Sequence, residues 1–146
     1  MFRASSFHTI DPKGRIIVPA RFRDDIRAGG ADGVMVSILD KALYAYTFNE
    51  WQAIEKKILS AKSEPMRRFK RFFLGNACEC LCDKQGRILI PPSIRAYAGL
   101  EKEIVLVGML DHFEIWSREQ WDRENNLMEE ELEKKEVREA IASLGL

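Results

Sequence analysis

The sequence predicts an α+β chain built from two tandem β-β-α-β-β halves, with additional packing helices. Three observations carry this. The string "DPKGRIIVPARFR" (Asp11 to Arg23) returns further along as "DKQGRILIPPSIR" (Asp83 to Arg95). The correspondence continues past it: "VSILD" from Val36 answers "VGMLD" from Val107, and "TFNEW" from Thr47 answers "SREQW" from Ser117, while the offset drifts only from 72 to 70. Both halves also share one order of short apolar runs, turn residues and amphipathic stretches.

Each half opens with a strand that ends at an Asp. "DPKG" suits a type I turn followed by a glycine bulge, with Asp11 first, Pro12 second and Gly14 where a positive φ is needed. "DKQG" lacks the Pro but keeps Asp83 and Gly86 at its ends. A second strand follows, "RIIV" or "RILI", and stops at Pro19 or Pro91, where a proline suits the first turn of a helix. Short helices are expected over residues 19–28 and 91–98, closed by Gly29/Gly30 and by Gly99. Two further strands come next: "VMVSIL" with "ALYAYT", and "EIVLVGML" with "HFEIW".

Each half then enters a longer helix through a capping box, Thr47 with Glu50 and Ser117 with Gln120, each immediately before a Trp. Trp51, Ile54 and Ile58 share one face of the first helix. Trp121, Asn125, Met128 and Leu132 share one face of the second, and both stripes read as core or subunit packing. Between the halves, "SEPMRRFKRFFLG" reads as a helix from Pro65 to Gly75, with Met66, Phe69, Phe72 and Phe73 apolar and Arg67, Arg68, Lys70 and Arg71 around them. The acidic C-terminal run reads as a solvated helix with Glu130–Lys134 and Glu131–Lys135 pairs. The expected organisation is a first repeat over 5–51, a helical connection over 52–76, a second repeat over 77–121 and a C-terminal helix over 122–146.

Composition narrows the function. With 46% apolar residues in 146, the chain can bury a core. Its apolar runs are short and broken by charge, and "MFRASSFHTI" lacks the apolar stretch of a secretory signal, so a cytoplasmic protein is expected, with no membrane partner. Lys and Arg balance Asp and Glu at 23 each, which argues against a protein coated in nucleic acid but leaves room for local basic contacts. Residues 1–80 hold 14 Lys/Arg against 9 Asp/Glu, and residues 81–146 hold the reverse. Cys78, Cys80 and Cys82 alternate along one strand face. Three cysteines and two histidines make a poor disulfide or zinc framework, and the expected role is a small buried thiol in a reducing compartment.

No phosphate-binding glycine loop, H-E-x-x-H or G-x-S-x-G motif is present, and the chain is not read as an enzyme; no cofactor or metal is expected. The duplicated element offers Asp, Gly and Arg, which suits binding. Asp11 can accept turn N–H groups and hold Arg15, as Asp83 can hold Arg87. An Arg on a rigid hairpin can fork onto a phosphate or onto guanine O6 and N7. Equally, the Asp–Arg pair can do no more than staple its turn.

"D-x-K-G-R-I-x-V-P" followed by a helix resembles the AbrB-type swapped-hairpin DNA-binding unit. Two copies in a chain of this length, with "FHTIDPKGRIIVPARFR" and the Trp-bearing helices, resemble the bacterial MraZ family over essentially the whole chain. The resemblance implies two interleaved AbrB-like halves in an intrachain pseudo-dimeric barrel. It further implies a sequence-specific transcriptional regulator of the division and cell-wall gene cluster, acting at the nucleoid. The implied partners are short direct repeats in double-stranded promoter DNA and other copies of the chain, in a ring-like homo-oligomer. The motif falls on Asp11, Gly14 and Arg15, and again on Asp83, Gly86 and Arg87, so Lys13, Arg15, Lys84 and Arg87 are the expected DNA contacts. The basic residue before the first Gly becomes Gln85, with Lys84 displaced by one, and Arg21 becomes Ser93. The first copy is therefore expected to bind more strongly. Competing classes are an oligomeric protein-interaction scaffold without DNA binding and an enzyme acting on a phosphorylated substrate.

Overall fold

The computed structural model describes residues 1–146. The first half runs β1 (Ser5–Thr9), β2 (Arg15–Ile17), α1 (Ala20–Ala28), β3 (Gly33–Leu39) and β4 (Ala42–Tyr46), followed by α2 (Phe48–Ser60) and α3 (Glu64–Gly75). The second runs β5 (Cys78–Leu81), β6 (Arg87–Leu89), α4 (Pro92–Tyr97), β7 (Glu103–Gly108) and β8 (Phe113–Ser117), followed by α5 (Arg118–Glu131) and α6 (Lys135–Ala142). The repeated β-β-α-β-β order is present in both halves.

The halves are interleaved. A six-stranded antiparallel sheet has the order β1-β7-β8-β4-β3-β5, so the first strand of each half pairs with the hairpin of the other. β2 and β6 form a separate two-stranded ribbon. Register reveals a pseudo-two-fold axis. In the ribbon Ile16 lies opposite Ile88, its own counterpart in the repeat, and at the sheet centre Tyr44 lies opposite its counterpart Glu114.

The barrel that the sequence resemblance implied does not close. β1 and β5 remain sheet edges, and the ribbon meets the sheet only through a single bridge, Ile10 to Ile16. Strands of three residues, ending at Ile17 and Leu89 just before Pro19 and Pro91, are too short to continue the ladder, and proline has no N–H to extend it.

The main core lies between one sheet face and a layer made of the ribbon, α1 and α4. Ile16 and Ile88 descend from the ribbon onto Phe22 and Ile26 of α1, Ile94 of α4 and the inward residues of β3, β4, β7 and β8. Phe2 closes it, with ring centroids 5.2 Å from Phe22 and 5.1 Å from Phe113. On the opposite sheet face α2 and α3 pack Trp51 and Phe73 over Tyr46, while Trp121 of α5 packs on Trp116. Both capping boxes form at their N-terminal ends: Thr47 Oγ1 accepts from Glu50 N at 3.2 Å, and Ser117 Oγ accepts from Gln120 N at 3.1 Å. The three cysteines share a face as expected; Cys80 is buried, with Cys78 and Cys82 packed against the core.

Within the chain, three details of packing differ from expectation. Phe72 and Met66 of α3 stay exposed, because only Phe69 and Phe73 reach the sheet layer. Neither α5 nor α6 buries a residue; of Trp121, Asn125, Met128 and Leu132 only Trp121 packs within the chain, so the core half of the core-or-subunit reading does not hold for the rest. The helix breaks at Leu132–Lys134, so the ion pairs become Glu131–Lys134 at 2.8 Å and Lys135–Glu139 at 3.9 Å instead of Glu130–Lys134 and Glu131–Lys135. No helix is long and apolar enough to cross a membrane.

A candidate nucleic-acid interface at the duplicated turns

The two turns are built alike. In the first, Asp11 N donates to Arg15 O at 3.1 Å and Gly14 N to Asp11 O at 2.9 Å. Asp11 Oδ1 accepts from Lys13 N at 3.0 Å and Arg15 N at 2.8 Å, and Oδ2 takes the Arg15 Nε at 2.6 Å. In the second, Asp83 Oδ1 accepts from Gln85 N and Arg87 N, both at 2.9 Å, and Oδ2 takes Arg87 Nε at 2.9 Å. The backbone N–H of the following Arg, helped by its guanidinium, holds each carboxyl below its ordinary value. Gly14 and Gly86 adopt φ of +91° and +77°, as the turn type requires.

Each turn is also seated on the other half. Ile90 N donates to Gly14 O at 2.8 Å, and its counterpart Val18 N donates to Gly86 O at 2.9 Å. From α4, Arg95 Nη1 reaches Pro12 O at 3.4 Å; from α1, Arg23 Nη2 reaches Asp83 O at 3.2 Å. Sequence reasoning aligned Arg23 with Arg95 but gave neither a role. Their recurrence at one repeat position was the available signal; the partner, more than 50 residues away, was not visible.

The ribbon gathers the expected residues. Arg15 and Ile17 stand on one face of β2, and Arg87 and Leu89 on the same face of β6, above the buried Ile16 and Ile88. Ladder spacing separates the Arg15 and Arg87 Cα atoms by about 8 Å. Only Nε of each guanidinium is engaged by its Asp, and the terminal nitrogens have no hydrogen-bond partner within the chain. Lys13 and Lys84 are exposed on the turns beside them. The Asp thus orients the Arg without consuming its fork, and the stapling and binding roles are compatible.

The sequence model of the family described as MraZ protein, antitoxin-like, matches the chain twice, over residues 1–72 and 73–141. A protein of Desulfosudis oleivorans named Transcriptional regulator MraZ is 54% identical over the full length of both chains. One of the same name from Pelotomaculum thermopropionicum is 44% identical over 100% of this chain and 99% of its own. Another, from Caldicellulosiruptor saccharolyticus, is 40% identical over 95% of each. With the duplicated D-x-x-G-R turns in both halves and full-length relatives at these identities, the chain belongs to the MraZ family.

Proposed function

We propose that the chain is a sequence-specific DNA-binding transcriptional regulator. The names of its full-length relatives support the regulatory role. The observation that carries DNA contact is the ribbon, where two arginines, each held at Nε by its own Asp, present free guanidinium forks on one face. A two-stranded ribbon fits the major groove, where Arg reads guanine O6 and N7 bidentately. Arg15 and Arg87 are the base contacts in this reading, and Lys13 and Lys84 meet phosphates. Asp11, Gly14, Asp83 and Gly86 shape the turns. Nothing in the reading calls for turnover.

One ribbon covers few base pairs. Avidity over several copies supplies the missing affinity, so the chain works as a ring-like homo-oligomer on short direct repeats in promoter DNA. The exposed apolar residues Leu59, Leu74, Leu127 and Met128 on the outer helices support assembly through them. The regulated genes in this reading are the division and cell-wall cluster, which puts the protein in the cytoplasm at the nucleoid.

Footprinting on DNA upstream of the chain's own gene tests this, with Arg15→Ala as control. Protection at regularly spaced repeats that Arg15→Ala abolishes is the expected result. Log affinity should also fall steeply with log salt, as phosphate neutralisation requires. Absence of any protected sequence, or equal binding by the variant, would overturn it.

A further inference from the structure

The outer face of the ribbon is a two-by-two array. Arg15 lies opposite Leu89, and Ile17 lies opposite Arg87. Ile17 is 58% exposed and Leu89 55%, whereas Ile16 and Ile88 beneath them are fully buried. A large aliphatic at an exposed strand position gains little in water, and threonine serves the strand there comparably well. Both halves nevertheless keep one at the equivalent position, although the halves differ nearby at Lys13/Gln85 and Arg21/Ser93.

We propose that Ile17 and Leu89 read sequence by packing on thymine C5-methyl groups in the major groove, between the two arginines. The inference rests on the DNA-binding reading above and adds a base and a contact type to it. With the exposed Lys13 and Lys84 beside its ion-paired arginines, the array suits an occupant that is anionic yet offers small apolar groups at its surface. Duplex DNA supplies both, because the thymine methyl is the apolar group on the major-groove base edges. Alternation of Arg and aliphatic side chains at the ladder spacing lets one face address a guanine edge and a neighbouring methyl together. The pseudo-two-fold axis repeats the arrangement, so two methyls on opposite strands are addressed.

The test uses the shortest duplex protected in the footprint, with its thymines replaced one at a time by deoxyuridine, which lacks only the methyl. Wild-type protein should lose about fourfold in affinity at one or two positions, the worth of one buried methyl-sized group. Ile17→Ser and Leu89→Ser should lose a similar factor on the thymine duplex and become indifferent to deoxyuridine at the position each contacts. Melting temperature checks folding, and Ile17→Thr keeps the β-branch if the serine variant is unstable. Indifference of the wild type to every deoxyuridine overturns the proposal. So does an equal loss by the variants on both duplexes, or a smaller assembly in light scattering with the deoxyuridine response intact, which would mark the pair as a subunit contact. Failure of the DNA reading itself looks different: Arg15→Ala would then bind as the wild type does.

Discussion

The two duplicated turns share one plan and differ in how firmly they are held. The second is clamped. Arg23, which supports it, is itself gripped by Asp32 at 2.9 and 3.4 Å, with Arg27 a further 3.6 Å neighbour of the same carboxylate. The first rests on Arg95, whose one side-chain hydrogen bond is the 3.4 Å contact to Pro12 O. It is also the more crowded: a Cβ on Gly14 would lie 2.7 Å from Ile90 O, whereas one on Gly86 would meet only the tip of Arg23, at 2.9 Å. The first turn carries Lys13 at its tip; the second has Gln85 there. One turn is therefore tight at its glycine and loosely braced, and the other is braced by a charged network. Duplication supplied one geometry, and divergence assigned it two mechanical characters.

The largest test of that contrast is Gly14→Val against Gly86→Val. Both force a β-branched residue to positive φ, a cost of about 1–3 kcal/mol. At Gly14 the collision with backbone adds to it, so denaturant midpoints should fall further for Gly14→Val; equal midpoints would erase the distinction. Next is binding: Arg15→Ala should cost about 1–3 kcal/mol in specific affinity, with Arg87→Ala costing less. Fluorescence anisotropy on the footprinted duplex decides, and a reversed order would make the second turn the principal reader. Bracing should separate the two turns: Arg23→Ala loses charge-assisted bonds and should lower the denaturant midpoint of the whole chain, with Arg95→Ala lowering it less.

A fourth test uses the sheet end of the pseudo-two-fold axis. His112 stacks between Tyr44 and Tyr46, with ring centroids at 5.1 and 5.0 Å. Burial alone would lower its pKa, but bonds to Glu114 at 3.3 Å and Asp111 at 2.6 Å outweigh this and raise it. A raised value contributes stability that is complete below the ordinary histidine value of about 6.5 and lost as pH rises through the folded one. The first half has no histidine at its corresponding turn, Asp40–Lys41. Stability should thus decline from pH 6.5 upward in the wild type and stay flatter in His112→Gln, by denaturation at each pH. The smallest effect is at the tips. Lys13→Gln should reduce the slope of log affinity against log salt by about 1, and Gln85→Lys should raise it by about 1.

Much of this was legible in sequence because it is local. Asp11, Pro12 and Gly14 specify their turn within four residues, and Thr47 and Ser117 specify helix starts within three. The repeat then doubled each signal. Strand partnership was different. Nothing in "SSFHT" states that β1 will lie on β7, since its alternation fits either hairpin; the swap followed only from the family resemblance. The same resemblance overreached at the barrel, whose closure depends on ribbon length and on Pro19 and Pro91. Cross-half contacts such as Arg95 to Pro12 left a repeated Arg as their only trace. The break at Leu132–Lys134 has no glycine or proline to announce it, and a run of Glu and Lys reads as helix throughout.

The interleaving of β1 with β7 also sets a clock. Ser5 must wait for Val107 and Thr9 for Glu103, so the first strand to leave the ribosome is among the last to find its neighbour. At about 5–20 residues per second, synthesis leaves β1 single for roughly 5–20 s. Before the second half emerges, the nascent first half has a β3–β4 hairpin, but Phe22 lacks Phe113 and Ile16 lacks Ile88. Neither half is thus a folding unit, although the sequence divides cleanly into two. Native pairing at such separations favours slow, all-or-none folding. On a polysome, two unfinished chains side by side would each hold the strand the other lacks, and their earliest hazard is trading it.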